Sequence, residues 1–407
     1  MSKLSRRQAV RRIAQSTAAA SIASLASPAK FLFATATPAA KPAPQPQARR
    51  TDLPTGQENA AMFRLGRAFM TQFFAPALSV SIVRDSKFVY EHAWGVADSK
   101  QHIESSDTSL FRIASVTKPI TSVAIFTLLE RGKLNLNDKV FGPSGILAED
   151  YGKSFRQYVT DVTVDHLLTH TSGGWPNDDT DPMFKNNSWD HKRLITDAIA
   201  TLPLTYAPGT HWAYSNFGYC ILGRVIEKIS GQPYETFVQQ SVLAPCGITD
   251  MRVAGNTYRD RAPNEVEYLG QFNENPYNMN VRRMDSHGGW IATPNDLAKF
   301  TAHLGGTSTI PSILKPASIK LMTTPAPAYS QDSDAKYARG WMVRDNGAGN
   351  WWHAGSLPGT TSVMVRTPDG KCWGALTNTR TQPSDAINTA LDQMVWDMVH
   401  QVPAWNA

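Results

Sequence analysis

The chain has 407 residues, 42% of them hydrophobic and 18% charged. That balance supplies the core of one large domain or two fused ones, and it excludes wholesale disorder, a collagen-like repeat and a small disulfide scaffold. The formal net charge of +6 is concentrated at the start. Residues 1–50 carry nine Lys or Arg and no Asp or Glu, leaving 31 basic against 34 acidic groups in residues 51–407, too acidic a balance for a general nucleic-acid binder.

The basic head Met1 to Arg12 contains Ser5-Arg6-Arg7, a small and weakly apolar stretch follows, and Ala34-Thr35-Ala36 offers an A-x-A cleavage site. Residues 1–36 therefore read as an export signal of the twin-arginine type, with a basic tail or a mitochondrial-type presequence as the alternatives. Residues 37–56 form a Pro/Ala-rich spacer. No other apolar run approaches the ~18 residues that span a bilayer. The expected location is periplasmic or secreted, without stable membrane insertion after export.

Residues 57–75 place Met62, Leu65, Phe69 and Phe73 at helical spacing. Leu78 to Val83 alternates as a strand, Asp85-Ser86-Lys87 turns, and Phe88 to Val96 returns, predicting a hairpin. Residues 135–280 hold helical patterns and long loops, among them a helix over Phe217–Ser230 ended by Gly231. Strands are predicted over 337–344, 361–367 and 373–378, with a turn at Pro368-Asp369-Gly370-Lys371 and a last helix over 384–399. Strands at both chain ends and helices between predict an α/β chain of the α+β type. Its antiparallel sheet is built from both ends and flanked by helices, with a mainly helical subdomain inserted. The expected limits are 57–400 for the domain, with a sheet lobe over about 57–134 and 281–400 and a helical lobe over about 135–280. A cleft is expected where the lobes meet. Cys220, Cys246 and Cys372 lack metal-type spacing. They read as structural, and a Cys246–Cys372 disulfide is compatible with an exported protein.

Three short segments carry chemistry. Ser115 and Lys118 form an S-x-x-K pair, followed by Pro119 and an apolar helical stretch closed by Arg131-Gly132. Proline is accepted only near a helix start, so the pair lies at the first turn, three residues apart on one face. The helix N-terminus favours developing negative charge there, and a buried lysine can become neutral enough to take the serine proton. The alternative is a helix cap with a solvated lysine, and the same spacing recurs at Ser27/Lys30 and Ser312/Lys315. Tyr214 and Asn216 form Y-x-N just before a helix, in a position to reach a cleft or simply to cap. His353, Gly355 and Ser356 lead into a strand on which glycine lets a substrate approach the backbone, and the next N–H could complete an oxyanion site. His287-Gly288-Gly289 repeats the H-x-G pattern.

In that order, S-x-x-K, Y-x-N and [KH]-x-G resemble the serine β-lactamase and penicillin-binding-protein superfamily, most closely its class C enzymes, D-amino-acid peptidases and related esterases. The flanks agree over residues 57–400, as in Val164 to Gly173, Tyr219 to Gly223 and Gly288 to Phe300. The resemblance implies Ser115 as the acylated nucleophile, with Lys118 beside it and Tyr214 sharing proton transfer. It implies Asn216 as a substrate-amide contact and the N–H groups of Ser115 and Ser356 as the oxyanion hole. The general base is left open between Lys118 and Tyr214. No metal or organic cofactor is implied. The partner is a small-molecule or peptide substrate, and no oligomeric state is indicated.

His353 stands where the superfamily's class C β-lactamases carry lysine. A lysine offers a permanent cation to a substrate carboxylate, whereas histidine is mostly neutral at pH 7. The expected substrate is therefore a peptide or amide, including D-residue-containing or nonribosomal peptides. A carboxylic ester comes second and a β-lactam third. The rival from another class is a non-catalytic peptidoglycan- or peptide-binding protein. His170 and His287 lie in loops that could border the cleft, and loop-fixing hydrogen bonds are their expected role. Trp175, Trp290, Trp351 and Trp352 are candidates for its walls, with ordinary core packing as the alternative.

Overall fold

The computed structural model describes residues 53–85, 87–148, 150–305, 310–329, 334–344 and 349–405. The stretch expected as an export signal, nearly all of the expected spacer and the Ser27/Lys30 pair lie outside the described residues. Helix α1 (Gly56–Phe73) starts at a capping box in which Thr55 and Glu58 satisfy each other's backbone N–H groups. Strands β1 (Ala77–Arg84) and β2 (Lys87–Asp98) follow as the predicted hairpin. At the other end lie β9 (Trp351–Leu357), β10 (Thr360–Arg366), β11 (Cys372–Thr377) and the last helix, α9 (Asp385–His400).

β1 pairs with both β2 and β11, so the two ends of the chain meet in the middle of one antiparallel sheet. Its eight strands run β3-β2-β1-β11-β10-β9-β8-β7, where β3 is Ile103–Glu104, β7 Ala335–Tyr337 and β8 Met342–Arg344. The stretch 337–344, expected as one strand, is instead two short strands joined by a turn in which the Ala338 N–H donates to the Trp341 carbonyl. The break has a packing cause. Gly340 has φ 86°, and a Cβ there would fall 2.7 Å from Ser122 Cβ.

Side-chain alternation assigns the two faces. Leu78, Val80, Ile82, Trp352, Val363, Val365, Trp373 and Ala375 join Met62 and Phe69 of α1 and Leu391 and Met398 of α9 in one cluster. Met364 and Leu376 face the opposite cluster, which contains the helical part of the chain. There α7 (Pro294–Ala302) lies so close to β11 that a Cβ on Gly374 would meet Leu297 Cβ at 2.9 Å.

Helix α2 (Thr117–Glu130) is buried on nearly all sides, as expected of a helix apolar all round. It contacts α5 (Asn216–Ser230), which ends at Gly231 with φ 70° as its sequence predicts. The remaining α-helices among the described residues are α3 (Val164–Leu168), α4 (His191–Thr201), α6 (Tyr234–Val238) and α8 (Pro316–Met322). A small second sheet, β4-β6-β5, joins Phe111–Arg112, Trp290–Ala292 and Arg252–Val253. The three cysteines are free and buried. Cys246 packs in the helical core and Cys372 in a separate small cluster, so the Cys246–Cys372 bridge does not form. No described helix is long and apolar enough to cross a membrane.

Candidate functional site

Ser115 sits in a 3-10 turn (Ala114–Val116) that runs directly into α2. The segment before it is held from two sides. The Ile113 N–H donates to the Trp290 carbonyl at 2.9 Å, and Ser362 Oγ on β10 donates to the Ile113 carbonyl at 2.7 Å. Ala114 is forced to φ 46°, a left-handed conformation costing a non-glycine residue roughly 1–2 kcal/mol. The turn is thus over-determined by its neighbours.

Lys118 lies one turn further, without exposure to solvent. Its Nζ is 3.1 Å from Ser115 Oγ, 2.7 Å from Asn216 Oδ1 and 3.0 Å from the His287 carbonyl. The last two groups only accept, so they take two hydrogens of the amine and leave its third direction facing the serine hydroxyl. Burial holds the Lys118 pKa well below the usual lysine range, with Asp181 pulling the other way. A neutral amine so held donates twice and aims its lone pair at the Ser115 O–H.

Tyr214 comes from the inserted helical part. Its ring lies 4.6 Å beneath Lys118 Nζ, and its phenol is near enough to the Ser115 side chain to interact with it. Burial raises the phenol pKa above its ordinary value, and that interaction opposes this. Backbone contacts fix the tyrosine. Its carbonyl accepts from the Asn177 N–H at 2.7 Å, and the Ser215 N–H donates to His170 Nδ1 at 3.1 Å. His170 is therefore a loop-fixing residue, held neutral by burial. His287 contributes its carbonyl rather than its ring.

On the opposite side, β9 passes against the serine turn. A Cβ on Gly355 would fall 2.4 Å from the Ile113 carbonyl and 3.0 Å from the Ser115 nitrogen, so only glycine allows this approach. Leu357 pairs with Thr360 across a two-residue turn, and Ser356 pairs with Thr361. Hydrogen-bonded and open pairs alternate in such a ladder, which directs the Ser356 N–H away from β10, to the side of β9 that faces Ser115. His353 has both ring nitrogens engaged, Nδ1 with the Ala354 carbonyl at 2.7 Å and Nε2 with the Tyr337 hydroxyl at 3.2 Å. Burial, and then the charge of Lys118, push its pKa down to about 3. It remains a neutral imidazole.

The structure thus brings together Ser115, Lys118, Tyr214, Asn216, Gly355 and the backbone of Ser356, with the His353 ring 6.4 Å from that of Tyr214. Asn216 differs from its expected use. Its Nδ2 donates to Asn177 Oδ1 at 2.7 Å and Asp181 Oδ2 at 2.9 Å, while Oδ1 holds Lys118, so no N–H is left for a substrate. Of the two roles open to the tryptophans, cleft wall or core, the core prevails. Trp175, Trp290 and Trp352 are buried, and Trp351 packs edge-on against Trp341. Trp212, Tyr329 and Tyr337 form the aromatic cluster around Tyr214 instead. Ser312 and Lys315 serve local structure at the start of α8, with Ser312 Oγ donating to the Leu314 carbonyl.

Sequence reasoning missed Asn177, Asp181 and the His287 carbonyl. The Asp181-Pro182 pair carries a helix-cap signal, but nothing local connects it to Asn216, 35 residues away. No group of residues suited to a metal ion occurs among the described residues.

Known proteins share this architecture. A penicillin-binding protein of Bacillus subtilis (strain 168) is 26% identical over 348 residues, covering 77% of this chain and 71% of that protein. The crystal structure of a D-amino acid amidase from Ochrobactrum anthropi SV3 superposes with a TM-score of 0.68 at 21% identity, covering 85% of this chain and 99% of that one. An octameric penicillin-binding protein homologue from Pyrococcus abyssi gives 0.67 at 24% identity, covering 84% and 79%. The family model described as Beta-lactamase matches residues 62–393, and the chain belongs to that family of hydrolases.

Proposed function

We propose that the protein is a serine hydrolase that works through an acyl-serine intermediate on amide or peptide bonds. The observation that carries this reading is Lys118 Nζ, 3.1 Å from Ser115 Oγ, with its other two directions committed to Asn216 and His287. In this scheme Ser115 Oγ attacks the carbonyl carbon and its proton passes to neutral Lys118. The N–H groups of Ser115 and Ser356 hold the oxyanion, each worth about 3 kcal/mol in such sites. Tyr214 relays the proton to the leaving group. Water then attacks the acyl carbon, losing its proton to the same pair, and Ser115 is released. With its pKa held low, Lys118 is the better base, since the raised phenol keeps its own proton.

The substrate preference rests on His353. Both its nitrogens are occupied and it is uncharged, so it offers no cation to a carboxylate next to the scissile bond. That favours amides and peptides, including D-residue-containing ones, and then esters, over β-lactams. The amidase superposition is consistent with this order. We further propose residues 57–400 as the catalytic unit, 37–56 as a spacer and 1–36 as a twin-arginine export signal, placing the enzyme in the periplasm.

The test compares wild type with Ser115→Ala on D-amino-acid amides and peptides, p-nitrophenyl esters and a chromogenic cephalosporin, beside labelling with a fluorescent phosphonate. Amide turnover and labelling that both require Ser115 support the proposal. Fast cephalosporin hydrolysis would reverse the substrate order, and an unlabelled, inactive wild type would leave a binding protein.

A further inference from the structure

We propose that Asp181 is a positioning residue that sets which end of the Asn216 amide faces Lys118. This rests on the acyl-serine reading of the site. An asparagine amide has nearly the same shape when turned by 180°, but the turn replaces a carbonyl with an NH2 group. In front of Lys118 that exchange matters. A carbonyl at 2.7 Å holds one amine hydrogen, whereas an NH2 group would compete for the lone pair meant for Ser115.

What stands behind Asn216 therefore decides its orientation. Its Nδ2 meets Asp181 Oδ2 at 2.9 Å and Asn177 Oδ1 at 2.7 Å. Asn177 cannot fix the choice alone, because its own amide can turn and its Nδ2 is buried without a partner. Asp181 can. Its second oxygen accepts from the Met183 N–H at 2.9 Å, so both oxygens act as acceptors, and an ionised carboxylate has no hydrogen to offer. Asp181 is 1% exposed.

The same carboxylate acts on Lys118 through space. Lys118 from α2, the Tyr214 phenol, Arg283 from the turn before β6, and Asp178 of its own loop are the titratable groups that interact with Asp181. Of these, Lys118 is the one linked to it by the single amide of Asn216. Its negative charge favours the ammonium form and opposes the effect of burial. Asp181 thus aims the relay and keeps the amine basic enough to take a proton.

The experiment uses the full chain and reads kcat, KM and the pH profile of wild type, Asp181→Asn and Ser115→Ala on a neutral amide, with thermal melting as the folding control. Asp181→Asn keeps the shape but sets an NH2 group against one of two N–H donors, and it removes the charge. It is expected to lower kcat by 10- to 100-fold with little change in KM, since misaimed reacting groups cost rates of that order. Its acid limb should move to lower pH, because Lys118 binds a proton less tightly without the neighbouring charge. A merely structural residue would not move that limb. Wild-type kcat and an unmoved limb would overturn the assignment. Should Asp181→Asn fail to fold, Asp181→Ala, which removes the charge without setting a donor against the two N–H groups, is read for the same limb. A shift to lower pH supports the assignment, and an unmoved limb overturns it. If Ser115→Ala still turns over substrate, the acyl-serine reading itself falls. If only Asp181→Asn behaves as wild type, the hydrolase reading stands and the positioning role does not.

Discussion

Gly355 brings β9 within a missing methyl group of the backbone that carries Ser115: the absent Cβ would lie 3.0 Å from the Ser115 nitrogen and 2.4 Å from the Ile113 carbonyl. Both neighbours are backbone, so neither can rotate aside. Gly355→Ala must push the strand away from the turn. Overpacking of this kind costs about 1–3 kcal/mol, and a displacement near 1 Å at reacting groups costs on the order of 100-fold in rate. Thermal melting and amide turnover of Gly355→Ala should show both losses, and unchanged turnover would separate β9 from the chemistry.

Lys118 is the group with the most to lose. Lys118→Met keeps similar bulk in a fully buried position but supplies no proton acceptor. General-base catalysis contributes typically 10²–10⁴-fold, so turnover should fall by at least about 100-fold. Phosphonate labelling at Ser115 should slow in parallel. Labelling at the wild-type rate would show that another group, Tyr214 foremost, takes the serine proton.

His353 leads to a pH prediction. Burial holds its pKa at about 3, so it stays neutral and does not titrate between pH 5 and 8. KM for a neutral amide should therefore be flat across that range, while kcat follows the ionisation of Lys118. Steady-state kinetics at several pH values check this. A tenfold change in KM centred near 6.5 would mean that His353 carries a proton at neutral pH.

Stability offers a separate readout. His191 lies 3.5 Å from Asp285, which also pairs with Arg224 at 2.6 Å. Burial works against the charged imidazole, but the Cys220 side chain and the Asp285 carboxylate outweigh it and raise its pKa to about 10. A group whose folded pKa is raised contributes stability that is complete below the unfolded value, near 6.5, and lost as pH rises through the folded one. The His191 contribution to the melting temperature should thus decline between about pH 6.5 and 10, so the melting temperature of wild type should fall relative to that of His191→Gln across that range. Equal slopes for the two proteins would rule the ion pair out as its source.

Local signals made much of the fold legible. The alternation at 78–83, the proline after Lys118 and the glycine at 231 each report on a few adjacent residues, and the hairpin, the start of α2 and the end of α5 lie close to where those signals put them. The strand expected over 337–344 failed because its break at Gly340 answers to Ser122 on a distant helix. The cysteines, read as structural, are indeed buried and free; whether two of them meet was not legible, since two buried thiols look alike in sequence either way.

The site divides along the same line. Residue order alone determined that Ser115 and Lys118 share one helical turn and that Tyr214 and Asn216 precede a helix, because spacing along a helix is geometry written into the chain. Only the tertiary structure decided what surrounds them. The acceptors that orient Lys118, the carboxylate behind Asn216 and the two groups that occupy His353 come from segments far apart in sequence. Hydrogen-bond direction and desolvation depend on which of those segments pack together, and no local pattern encodes that.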